Sequence, residues 1–198
     1  MAGKREEKRE ALRLALINAA ERQIVAGGMK SVKARDLAGE VGCAVGAIYN
    51  VFDDLTALFM AVNGRTFLAL GKAIAASQEG MDQAHPRAAL IAMGQAYLDF
   101  AAANMNLWRA LFDLEMPDDP EATGWYLKEL RNLFSFIQAA LVRLWPNRTD
   151  DEIEMMTRAL FSSVHGMVLL GLENRFSGVP RERIGQMIAA LLSEIGNE

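Results

Sequence analysis

No proline precedes Pro86, so the breaks between periodic segments in the first part of the chain must be made by glycine. Gly27-Gly28 and Gly42 supply them and leave helix-sized segments of about 20, 9 and 9 residues ahead of a longer one. In the first segment Leu12, Leu16, Ala19, Ala20 and Ile24 fall at helical spacing with Arg13 and Glu21 off that stripe, which predicts an amphipathic helix ending at Gly27-Gly28. The next, about Lys33 to Val41, stops at Gly42, as a helix does at a residue that readily turns left-handed. Val45 to Phe52 follows. A longer helix of about 54–78 then carries Leu55, Leu58, Phe59 and Val62 in register, and Asp53 or Asp54 can cap its positive end.

Beyond Pro86 the pattern predicts helices at about 86–103, 104–114, 120–145, 150–176 and 181–196. They are divided by Met116-Pro117-Asp118-Asp119-Pro120, Pro146-Asn147 and Ser177-Gly178-Val179-Pro180, and proline with Asp or Asn both stops and starts helices. In the last of them Ile184, Met187, Ile188, Leu191, Leu192 and Ile195 follow helical spacing. No sustained strand alternation or repeat occurs, so the predicted class is all-α. The helix at 150–176 is apolar on more than one side: Ile153, Met156, Leu160, Val164 and Met167 form one stripe, while Met155, Ala159, Gly166, Leu169 and Leu170 spread onto others. Such a helix is either central in its own bundle or shared with another subunit.

Composition removes several classes. A chain of 198 residues with 52% hydrophobic and 23% charged content can bury a core without disulfides or metal. Its longest uncharged run, Ala159–Leu172, has 14 residues, fewer than the roughly 18 of a membrane span, so no membrane partner is expected. Glu6, Glu7 and Glu10 among the first basic residues fit a signal peptide badly, and a cytoplasmic location is expected. Cys43 is the one cysteine, and with only His85 and His165 beside it no nitrogen/sulfur zinc cage can be assembled. Neither histidine follows a glutamate by three residues, and no G-x-S-x-G, P-loop or CxxC occurs, so no catalytic residue, metal or cofactor is expected.

The net charge of −4 argues against a polyphosphate partner until it is divided. Residues 1–72 hold 11 Lys and Arg against 8 Asp and Glu, a balance of +3, whereas residues 73–198 sum to −7. Such asymmetry suggests two jobs.

Two short helices joined at Gly42-Cys43-Ala44 have the proportions of a helix-turn-helix. The string Gly42-Cys43-Ala44-Val45-Gly46-Ala47-Ile48-Tyr49-Asn50-Val51-Phe52, with Leu58 following, resembles the TetR/AcrR family signature, and Ala19-Ala20, Gly28 and Asp36-Leu37-Ala38 fall at matching intervals. The resemblance implies a three-helix DNA-binding head at 1–53 and a ligand-binding and dimerisation bundle at 54–198, with the helix at about 54–78 as connector. It implies that Tyr49 meets phosphate, which fixes register without reading sequence, and Lys33 is a further DNA-binding candidate. Val45, Ala47 and Asn50 would face the major groove, where Asn pairs with adenine and the apolar residues touch thymine methyls; Arg35 matches a position that reaches a base, typically guanine. Gly46 lets the backbone approach DNA or packs against a neighbouring helix. Tyr49 in the small core and a solvated or helix-paired Arg35 are the competing readings, and Cys43 reads as a small buried hydrophobe rather than a redox switch.

The chain departs from the pattern at Val32 and Ala44, where Ser or Thr caps are expected, and at Leu55, where a lysine usually opens the next helix. Lys30, Ser31 and Lys33 can compensate, together with Lys4, Arg5, Lys8 and Arg9 as an arm along the backbone or in the minor groove. That arm reads equally as a solvated helical turn with Glu6–Arg9 and Glu10–Arg13 pairs.

In the second part Met93, Tyr97, Trp108, Phe112, Phe134, Phe161 and His165, with Met116, Trp125 and Met167, supply material for an apolar ligand cavity or for any helical core. Phe161–Leu172, with His165-Gly166 inside it, resembles a TetR subgroup with a Trp/Phe-x-x-x-His-Gly element. The family pairs through its last two long helices, here 150–176 and 181–196. The expectation is a homodimeric repressor on a palindromic double-stranded operator, released by a small hydrophobic effector. The alternative is a helical small-molecule-binding or adaptor protein with a degenerate head.

Overall fold

The computed structural model describes residues 2–82, 84–115, 120–173 and 180–196. Its helices are α1 Ala2–Gly27, α2 Ala34–Val41, α3 Val45–Ile48, α4 Leu55–Ala76, α5 Pro86–Ala103, α6 Met105–Asp113, α7 Pro120–Leu144, α8 Asp150–Leu172 and α9 Ile184–Ser193, with short 3-10 turns at Met29–Ser31 and Arg181–Arg183. Among the described residues there is no strand, in keeping with the all-α expectation. Residues 116–119, 174–176 and 177–179, and with them Met116, the end of the helix expected through 176 and parts of two junctions, lie outside the described residues.

The chain divides into two compact units, Met1–Leu68 with Asn104–Lys128, and Ala69–Ala103 with Glu129–Glu198. Both units are discontinuous in sequence. In the first, the predicted stripe of α1 is fully buried at Leu16, Ala19, Ala20 and Ile24, against Leu37 of α2, Ile48 of α3 and Leu58 and Val62 of α4. Here α6 packs on α1: Ala110 and Leu107 join that core, and Asn106 Nδ2 donates to the Val25 carbonyl at 2.9 Å.

Two expectations change in this unit, and one choice left open narrows. The helix expected at 45–52 is α-helical only over Val45–Ile48. The basic start takes the helical-turn form, because α1 begins at Ala2 and places Lys4 to Arg9 on its first turns. Arg9–Glu6 and Arg13–Glu10 are the i, i+3 pairs that favour this helical form, each at 3.6 Å. Val32 is not a capping position; it is buried one residue ahead of the α2 N-cap, Lys33.

In the second unit α5 packs along α9, with Leu90 and Met93 buried on one and Ile184, Ile188 and Leu192 on the other. The helices approach closely at Gly94, where a Cβ would lie 2.6 Å from Ile188 Cγ2. The α8 helix opens on a capping box: Glu152 N–H donates to Thr149 Oγ1 and the Thr149 N–H donates to the Glu152 carboxylate at 2.8 Å. The Thr149 N–H and then the Thr149 hydroxyl, which donates to the same carboxylate at 3.1 Å, hold the Glu152 carboxyl below the usual range. By length and composition α8 could cross a membrane, with a window of mean hydropathy 1.3, although its longest uncharged run is short; 33% of that window is buried within the chain.

Candidate nucleic-acid interface and a cleft in the second unit

The turn between α2 and α3 is built by backbone geometry. Gly42 adopts φ 76°, ψ 37°, a left-handed conformation that costs glycine little, and the amides of Gly42 and Cys43 both donate to the Ala38 carbonyl at 2.9 Å. The N-cap of α3 is Ala44, which has no side-chain oxygen to offer the first amides. One turn of helix has few hydrogen bonds of its own, so α3 is held by its buried residues, Ile48 with Phe52 just beyond it.

That anchoring turns the other side chains outward. Val45, Gly46, Tyr49 and Asn50 are exposed, Tyr49 at 49%, and Ala47 is half-buried. A Cβ on Gly46 would meet nothing within 4 Å among the described residues, so helix packing does not explain this glycine. The tyrosine is therefore outside the small core. Lys33 and Arg35 are exposed on the same motif, and Arg35 makes no ion pair or hydrogen bond with any described residue. Arg9 reaches the motif from α1, its Nε donating to the Asn50 carbonyl at 3.4 Å. Asp54 caps α4, accepting from the Ala57 N–H at 2.7 Å. Cys43 is half-buried and is the one free thiol.

In the second unit the structure brings together four of the residues singled out for ligand binding. The Tyr97 hydroxyl and His165 Nδ1 share a hydrogen bond of 2.8 Å, Phe161 stacks on His165, and Phe134 lies against Phe161 with centroids 5.1 Å apart. Burial lowers the His165 pKa and favours the neutral ring. Met93 lies elsewhere, in a cleft of about 300 Å³. Trp108 and Phe112 are not brought to either place; they make an edge-to-face pair on α6, in the first unit.

The cleft is lined by apolar Met81, Ala89, Met93, Phe136 and Ala139 and by polar Gln78, Asp82, Ser135 and Arg143. Of these, sequence alone pointed to Met93. A lone Arg143 in the last turn of α7 reads as a partner of the helix dipole, so nothing in the sequence marked it. Among the described residues no three His, Cys, Asp or Glu side chains gather to hold a metal.

Comparison with known proteins adds to this geometry. No curated protein matches the sequence. The fold is that of a protein of unknown function from Rhodococcus sp. RHA1, with a TM-score of 0.72 at 22% identity over 91% of this chain and 93% of that one. It is also that of the TetR family transcriptional regulator PfmR from Thermus thermophilus, with a TM-score of 0.61 at 18% identity over 91% and 96%. A TetR-family transcriptional regulator from Bordetella parapertussis 12822 gives 0.62 at 15% identity over 94% of each chain. Residues 16–62, which hold α2 and α3, match the family of bacterial regulatory proteins described as tetR. Residues 90–195 match the tetracyclin repressor-like C-terminal domain, and since that match alone spans more than half of the sequence, the chain belongs to the TetR family of regulators.

Proposed function

We propose that this TetR-family regulator is a repressor that grips a palindromic operator as a homodimer and leaves it when a small hydrophobic effector binds its C-terminal part. The observation that carries the reading is the split on α3: Ile48 and Phe52 are buried, while Val45, Tyr49 and Asn50 stand exposed beside an Arg35 that pairs with no described residue. Tyr49 and Lys33 contact phosphates, Gly46 and Ala47 admit the backbone to the groove, and Asn50, Val45 and Arg35 read bases. Two such heads would sit about 34–36 Å apart on successive major grooves.

The dimer is proposed to form through α8 and α9, which expose Met155, Leu170, Met187 and Leu191. Pairing them with a second copy would cover the apolar side chains that α8 and α9 leave exposed, and it fits a cytoplasmic protein. The functional division remains a DNA-binding segment at 1–53 and a ligand-binding and dimerisation segment at 54–198. The effector acts only if it binds one head spacing better than the other.

The alternative, a helical small-molecule-binding or adaptor protein, is favoured by Ala44 as the α3 N-cap and by Leu55 at the start of α4. A gel shift with DNA flanking the protein's own gene separates the two. Retardation that weakens in Arg35→Ala/Tyr49→Phe while the dimer persists supports the regulator, and absence of retardation with and without candidate ligands removes it. Binding should fall steeply between about 50 and 200 mM salt.

A further inference from the structure

The cleft of the second unit has four polar side chains on its lining, and three are already engaged. The Gln78 amide donates to Ser77 Oγ and to the Ala89 carbonyl. The Ser135 hydroxyl donates to the Asn132 carbonyl at 2.7 Å. Asp82 accepts from the Ala84 N–H at 2.9 Å and lies 3.2 Å from His85 Nδ1. Arg143 alone of the four has no hydrogen bond or ion pair with any described residue, and it is the one cation on the lining. A guanidinium has donors and no acceptor, and its flat fork matches a carboxylate in a bidentate pair. The rest of the lining, Met81, Ala89, Met93, Phe136 and Ala139, is apolar. A volume of about 300 Å³ is at the small end of ligand sites and holds roughly 12–15 non-hydrogen atoms.

We infer that this cleft takes a small monoanionic effector, an apolar body of about that size carrying one carboxylate that Arg143 receives. The inference rests on the effector-responsive reading above and narrows it from a hydrophobic molecule to an amphipathic acid. Asp82 is also on the lining, and the Ala84 amide holds its carboxyl below the usual range, so each negative charge on the ligand meets repulsion there and a dianionic phosphate meets more of it than a carboxylate does.

The test is titration calorimetry on the full-length protein without DNA, using matched acid and alcohol probes of three shapes: octanoate with 1-octanol, 4-cyclohexylbutyrate with 4-cyclohexylbutanol, and 1-naphthoate with 1-naphthylmethanol. At least one acid should bind about tenfold more tightly than its alcohol, as expected for a charge-assisted bond at a partly exposed site. Arg143→Gln should abolish that preference while leaving alcohol binding and the melting temperature unchanged, and Arg143→Lys should restore part of it. The compound 1-naphthyl phosphate should bind less tightly than 1-naphthoate. No binding by any probe, equal binding of acids and alcohols in all three pairs, or a preference that survives Arg143→Gln overturns the inference. None of those outcomes touches the gel shift, and an acid that binds through Arg143 yet leaves the DNA complex intact sinks the effector reading instead.

Discussion

The buried carboxamide of Asn63 donates to the Ala110 carbonyl at 2.8 Å and ties α4 to α6. Tyr126 closes the same knot from α7: its hydroxyl donates to the Leu111 carbonyl at 3.0 Å and lies 3.5 Å from Asn63 Nδ2. Burial pushes the Tyr126 pKa up to about 12, so the phenol remains a neutral donor. Asn63 Oδ1, in contrast, is buried with no hydrogen-bond partner among the described residues. Asn63→Ala should therefore cost about 1–3 kcal/mol, mainly by stranding the Ala110 carbonyl, and Asn63→Asp should cost more because it buries a charge. Urea denaturation gives the figure; an Asn63→Ala protein as stable as its parent would show the knot contributes nothing.

Two glycines make a matched pair of substitutions. Gly94→Ala places a methyl 2.6 Å from Ile188 Cγ2 and 3.2 Å from Leu192 Cδ1, both buried, and should destabilise by about 1–3 kcal/mol. Gly64→Ala meets the indole of Trp125 at 2.8 Å, but that ring is 42% exposed and can swing outward. The second variant should keep its melting temperature and shift its tryptophan emission. Equal losses of stability in the two would refute the distinction.

Acid should weaken the second unit through His165. Burial places its folded pKa below the ordinary 6.5, so under that pH the unfolded chain binds a proton the folded chain resists. The histidine's contribution is thus intact above 6.5 and declines as pH falls through and below that value. The urea midpoint should drop between about pH 7.5 and 5.5, and His165→Gln should flatten that interval. A slope unchanged in the variant would assign it to other groups.

The proposed dimer depends on one face. Met155 is 65% exposed on α8, so Met155→Glu should leave the folded monomer intact while setting two carboxylates against each other or against apolar surface in a pair. Sedimentation should report a monomer with parental helicity, and operator binding should fall with it. A dimer that persists would place the interface elsewhere.

The sequence displayed helix existence and order plainly, because glycine and proline act locally. Pro86 fixes φ and sits at the first position of α5, whose span matches the expected 86–103. Packing partners were harder to read. The apolar stripe of α6 says that the helix buries a face, not which neighbour receives it, so Trp108 and Phe112 joined the ligand residues on paper and the head unit in space. The extent of α3 also escaped periodicity, since Ile48 and Phe52 keep helical spacing although the helix proper stops at Ile48. Arg143 was invisible for another reason: its interest lies in what its neighbours are bonded to, and no single-residue pattern carries that.

The brevity of α3 has a genetic consequence. Ile48 and Phe52 hold it in place, so under the proposed function substitutions there would score as loss of DNA binding although both side chains are buried. The outward residues Val45, Gly46, Tyr49 and Asn50 bear little of the fold. If they read the operator as proposed, a lineage that changes its operator would record the change there, against a background of Ile48 and Phe52.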